Sequence, residues 1–198
     1  VGAPAPAGVE AISGEGRTLL PGFIDAHAHA YGDALERALV FGVTTELDMF
    51  TDHRMAATLR SQQQKADGAL QRADLLSAGT LVTAPKGHGT EYGMPIPTLA
   101  SAAEAQAFVD ARIAEGSDYI KIVYDDGAAY GMRIVTIDRA ILGAAIAAAK
   151  ARNKLAVIHI GSLRSADEAI AAGASGLVHI FADAPADAAF VQRVVAAR

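Results

Sequence analysis

Along nearly the whole chain, short runs of β-branched and aliphatic residues alternate with alanine-rich segments of helical period, and this alternation constrains the fold more than any other feature. "LLPGFIDAH", "GVTTELD", "DLLSAGTLV", "YIKIVY", "LAVIHI" and "GLVHI" read as strands. The segments "DHRMAATLRSQQQKA", "SAAEAQAFVDARIAEG", "DRAILGAAIAAAKARN" and "SADEAIAAGA" read as helices, with another after the sixth strand. Ser101 with Glu104 has capping-box spacing, and Gly116 and Gly173 stand where helices stop. Repeated βα units demand a parallel sheet with right-handed crossovers, either an open doubly wound sheet or a (β/α)8 barrel. No GxGxxG follows the first strand, which weakens the dinucleotide-binding option. Six units are visible, whereas a closed barrel of this type needs eight.

Composition closes several routes. The chain has no cysteine, so thiolate metal sites, disulfides and cysteine nucleophiles all fall away, and any metal must be held by His, carboxylate or lysine. A net charge of -5 without a basic patch argues against a nucleic-acid partner. No apolar run approaches the roughly 18 residues needed to span a bilayer. The Pro/Gly/Ala-rich leader, residues 1–16, lacks the pattern of a secretion signal, so a cytoplasmic location is expected. The opening on Val1 rather than Met suggests processing or a piece of a longer chain.

In such a barrel, polar residues at the C-terminal strand ends line the active-site face. His27 and His29 end the first strand on one side of it, with Asp25 behind them. Lys121 lies inside the fourth strand on the face of Tyr119 and Val123, where an ammonium ion is expensive to bury without a partner or a change of charge. His159 ends the fifth strand and His179 the sixth. Singly, a strand histidine is more often a hydrogen-bonded core residue, and a strand lysine more often pairs with a carboxylate such as Asp125 or Asp126. Together, five such residues at one end of one sheet point to a divalent metal site, zinc being the default among ions that suit imidazole.

The residues "LPGFIDAHAH", "YIKI", "VIHI" and "LVHIF" resemble the amidohydrolase superfamily, and within it the imidazolonepropionase-related and Xaa-Pro dipeptidase-like enzymes. The likeness runs from about Arg17 to the C-terminus. It implies a distorted TIM barrel, incomplete here, over residues 17–198, with residues 1–16 as a leader or remnant of a β-sandwich. One or two divalent ions are implied, with His27 and His29 on the first, His159 and His179 on the second, and Lys121 bridging as a carbamate formed with CO2. Lys121 and His179 are also taken as catalytic. The implied reaction is hydrolysis of amide, cyclic amide or dipeptide-like C–N bonds of a small-molecule substrate by a metal-activated hydroxide. The family's aspartate at the end of strand eight has no counterpart before Arg198, which makes the chain a fragment or a subunit completed by another chain, with self-association into a homo-oligomer as one form.

Weaker signals surround this set. His88, in the Gly-rich loop "APKGHGTEYG", is placed at the rim as a substrate-binding residue by the same resemblance, against the reading of a solvated loop histidine. His53 reads as a surface residue. Ser162 and Arg164 could meet a substrate carboxylate. Asp125, Asp126, Asp183 and Asp187 read as solvated or capping, with Asp183 the first substitute for the missing base. Two other functions compete with the hydrolase: a catalytically silent metal-binding chain, and a metal-free βα enzyme such as a phosphate-binding lyase.

Overall fold

The structure is a computed structural model that describes residues 6–63 and 71–197. Six strands each lead into a helix: β1 Phe23–Ala28, α1 Ala34–Val40, β2 Val43–Asp48, α2 His53–Gln63, β3 Asp74–Ser77, α3 Ala105–Ala114, β4 Ile120–Val123, α4 Arg139–Ala151, β5 Ala156–His159, α5 Leu163–Ala171, β6 Gly176–Val178 and α6 Ala188–Ala196. The end of the first expected helix, residues 64–66, lies outside the described residues, as do residues 1–5 of the leader. None of the described helices is long and apolar enough to cross a membrane.

The strands form two three-stranded parallel sheets, ordered β1-β2-β3 and β4-β5-β6. A bridge between Val82 and Ile122 links the segment after β3 to β4. Beyond β3, Gly79 turns the chain at φ 61°. Val82 then donates its N–H to the Lys121 carbonyl at 2.8 Å and accepts from the Val123 N–H at 2.9 Å. Side chains reinforce the junction. Ser117 Oγ donates to the Ala78 carbonyl at 2.7 Å, and the buried Tyr119 hydroxyl donates to the Asp48 carbonyl at 2.7 Å.

β4 is buried along its whole length, as a strand covered on both faces must be, and Lys121 is the one charge in it. Against β4 and β5 packs α4, whose Ile141, Leu142, Ala145, Ile146 and Ala149 make one buried stripe at helical spacing. Asp138 caps it by accepting the Ile141 N–H at 2.8 Å. The expected capping box at Ser101 and Glu104 does not form, because Ser101 makes no side-chain cap bond. Ser162 and Ser165 make one instead at the start of α5. Gly116 and Gly173, at φ 99° and 90°, end α3 and α5 as their positions predict.

Among the described residues β1 pairs only with β2, and β6 only with β5. Apolar side chains stand exposed beside both edges, Phe23 and Ile24 on β1 and Ile180 just past β6. The array nevertheless curls, since the rings of His27 and His179, at the C-terminal ends of β1 and β6, lie 4.5 Å apart between centroids.

Candidate functional site

Parallel strands with a common register deliver their C-terminal residues to one place, and here that place is a cavity of about 570 Å³. His27, His29, Lys121, His159, His179 and the loop residue His88 all line it. His27 and His29 project together, their rings 5.6 Å apart. Asp25 accepts the His27 backbone N–H at 2.9 Å. His29 Nδ1 lies 3.2 Å from the Phe50 carbonyl, to which only an N–H can bond, so Nε2 keeps the free lone pair.

His159 and His179 meet edge to face at 4.2 Å, with His159 Nδ1 2.9 Å from His179 Nε2. The other nitrogen of His159, Nε2, faces Asp125 Oδ2 at 3.5 Å. The sequence reads Asp125 as solvated or capping, and it is not solvated, being 3% exposed. The correction has a register origin. Val123 stands opposite His159, so two residues further along each parallel strand Asp125 reaches Gly161. A Cβ on Gly161 would lie 2.5 Å from Asp125 Oδ2, and only glycine leaves the carboxylate its place beneath His159. Asp125 also accepts the Gly127 N–H at 2.9 Å, so its capping role does hold.

Lys121 is 3% exposed and, among the described residues, its ammonium group has neither a hydrogen bond nor an ion pair. Burial pushes it down to about 8, with the Asp48 charge as the opposing influence. The pairing with Asp125 or Asp126 is not what the structure contains. Asp126 is taken instead by Arg164 at 2.6 Å on the outer surface, which also removes Arg164 from the cavity. Ser162 is committed to the α5 cap, Asp183 accepts the Leu163 N–H at 2.8 Å, and Asp187 caps α6 through the Phe190 N–H. His53 opens α2, partly exposed, 3.9 Å from Glu115.

His88 is brought to within 5.0 Å of the His159 ring. Its loop is built rather than loose. The Glu91 carboxylate takes His88 Nδ1 at 2.6 Å and the Gly89 N–H at 2.6 Å, and Gly87 is packed so tightly that a Cβ would stand 2.5 Å from Thr83 Oγ1. Sequence reasoning missed Glu91, although it lies three residues after His88 in the loop already singled out.

Burial first, then the charges His179 and Lys121 would carry beside it, push His159 down to about 2, and burial with Lys121 pushes His179 down to about 4. Both rings are neutral where an ion would need their lone pairs. Two nitrogens that each lie about 2.0–2.1 Å from one ion stand about 3 Å apart, the spacing His159 and His179 already have. The donor chemistry therefore fits a divalent ion. The rings nevertheless contact one another, and among the described residues no three His, Cys, Asp or Glu side chains converge as a ready-made metal site.

The depressed His159 has a consequence for stability. The unfolded chain takes up a proton below about pH 6.5 while folded His159 stays neutral, so stability falls as pH drops through that window. At pH 5 this costs about 2 kcal/mol relative to pH 8. Urea unfolding of the metal-free protein at both pH values should show the loss, and His159→Gln should remove about half of it, since His179, pushed down to about 4, contributes a similar share. Equal loss in the variant would place the titration elsewhere.

Comparison with known family profiles gives no match, and comparison with curated proteins gives none either. Solved structures do match, and they define the class of fold: an amidohydrolase superposes with a TM-score of 0.76 at 17% identity, over 99% of this chain and 56% of its own. Two particular likenesses lie in the same class. A putative prolidase from Bifidobacterium longum matches with a TM-score of 0.74 at 22% identity, over 97% of this chain and 47% of its own. A Xaa-Pro dipeptidase with methionine bound in its active site matches with a TM-score of 0.69 at 21% identity, over 89% and 51%. At these identities the likeness establishes the fold. The chain spans about half the length of the structures it matches.

Proposed function

We propose that this chain carries the metal-binding part of an amidohydrolase-superfamily enzyme that hydrolyses amide, cyclic amide or dipeptide-like C–N bonds of small molecules. The observation that carries the reading is the convergence, around one cavity at the C-terminal side of six parallel strands, of four imidazoles and one buried lysine that has no hydrogen-bond or ion-pair partner among the described residues. The six βα units make up most of a (β/α)8 barrel, with further strands pairing β6 and β1. Self-association through those edges is the other way to cover them. The likeness to a prolidase and a dipeptidase supports the reaction class.

His27 and His29 would hold one ion, and His159 and His179 a second. When bound, a divalent ion such as zinc supplies Lewis-acid polarisation of the scissile carbonyl and acidifies a water toward neutral pH. The protein's own part is to keep the ligands neutral and aimed. The Asp125 carboxylate, 3.5 Å from His159 Nε2, favours the tautomer with its proton on that nitrogen, which leaves the Nδ1 lone pair toward His179. Lys121, with its amine partly neutral near pH 8, attacks CO2 at carbon; the amine loses a proton to solvent, and the carbamate becomes an anion where a cation was buried. His88, fixed by Glu91, is set to hydrogen-bond the substrate beside His159.

A second reading, a silent metal-binding chain, is favoured by one observation. The one carboxylate among the described cavity residues is Asp52, and it already accepts the Arg54 and Met55 N–H groups. Assay of the zinc-loaded protein and of His179→Ala on N-acyl amino acids and X-Pro dipeptides separates the two. The hydrolase reading expects turnover that requires zinc and is lost in the variant. Zinc binding without turnover supports the silent reading.

A further inference from the structure

Beside the imidazole cluster the cavity lining is largely apolar, with Thr51 and Asp52 as its polar members. That apolar wall comes from the segments after β2 and β3: Phe50, Met55, Leu81, Tyr92 and Met94. It has a defined shape. Leu81, which lines the cavity, is 3% exposed, and Gly89, at φ 102°, folds the loop so closely over it that a Cβ there would touch Leu81 Cδ1 at 3.0 Å. The Glu91 clamp on Gly89 and His88 sets the adjacent Tyr92, whose ring lies 6.0 Å from Phe50 and 5.9 Å from His88. Thr51 directs its hydroxyl at the Met55 sulfur at 3.9 Å.

Two rings tilted at 38° to one another, two thioethers and a buried leucine suit an aromatic group better than an aliphatic one, because aromatic edges and faces gain from both ring and sulfur contacts. The cavity, at about 570 Å³, holds a ring together with an amide. The wall is continuous with the chemistry, since His88 touches both Tyr92 and His159. We infer that the site takes amide substrates bearing an aromatic side group, which lies on the Phe50–Tyr92–Met94 wall while the amide faces the imidazoles. The inference rests on the hydrolase reading of the same cavity, but it concerns binding and can be tested without turnover.

The test is an NMR titration of the 198-residue protein, labelled at methionine methyls, with N-acetyl-phenylalaninamide and N-acetyl-alaninamide. Burial of a phenyl group predicts about 10- to 100-fold tighter binding of the first probe. Met55 and Met94 signals should move, and Met132, which lies outside the cavity, should not. Tyr92→Ala, a change on an exposed loop, should bring the two affinities within about threefold, and His179→Ala should leave their ratio unchanged. Equal affinity of the two probes, or an unchanged ratio in Tyr92→Ala, overturns the inference. A wall that binds as described in a protein that fails to take up zinc would sink the hydrolase reading and spare this one.

Discussion

Substitution of His159 by alanine is expected to weaken zinc binding by about 100-fold. Structural zinc sites gain roughly 10–16 kcal/mol from about four ligands, so one imidazole accounts for about 3 kcal/mol. His159 lies between Asp125 at 3.5 Å and His179 at 2.9 Å, and the nearby His88 is already bonded to Glu91 at 2.6 Å. His179→Ala should behave in the same way. Asp125→Asn, which keeps the shape but loosens the orientation of His159, should cost about tenfold, at the low end for an outer partner of a ligand. Competition against a chromophoric chelator reads all three, with His53→Ala as the control. Affinities unchanged in both His159→Ala and His179→Ala would remove this pair from the site.

The second large effect concerns Lys121. Lys121 is 3% exposed and, among the described residues, its ammonium group has no hydrogen-bond or ion-pair partner; its descent to about 8 puts the standing cost at about 3 kcal/mol. The sign follows from a base whose folded value is depressed. The full penalty applies below about pH 8 and is relieved as pH rises toward the ordinary lysine value near 10.5. Lys121→Met should therefore stabilise the metal-free protein at pH 7, by up to about 3 kcal/mol, while abolishing any bridge between two ions. In the wild type, rigorous removal of CO2 and bicarbonate should lower zinc stoichiometry, and restored bicarbonate should recover it. Short carboxylic acids should partly rescue Lys121→Ala. Mass evidence for an unmodified amine in the zinc-loaded protein would exclude the carbamate.

Much of this was legible in the order of residues. Period-2 and period-3.6 patterns gave six βα units, and strand-end position alone assembled His27, His29, Lys121, His159 and His179 around one cavity. What escaped depended on contacts between segments far apart in the chain. Asp125 reads as a turn acid in "YDDG", and only its register with Gly161 shows that it is buried. The first strand was drawn from Leu19, but Pro21 has no N–H to give a ladder, and β1 starts at Phe23. The third was carried through to Val82, whereas Gly79 breaks it and Val82 joins β4 instead. Helix α1 was not seen at all, because seven residues with no side-chain cap bond are too few to display a period. The apolar wall is likewise invisible in sequence, since it exists only when the loop after β3 folds back over Leu81.

The central claim is that these imidazoles form a metal centre, and titration of the metal-free protein with zinc, followed through the ¹⁵N signals of its histidine rings, tests it most directly. The account predicts saturable uptake in which His27, His29, His159 and His179 change ring-nitrogen shifts together and His53 does not. Absence of saturable uptake, or shifts confined to His53 and His88, would contradict it.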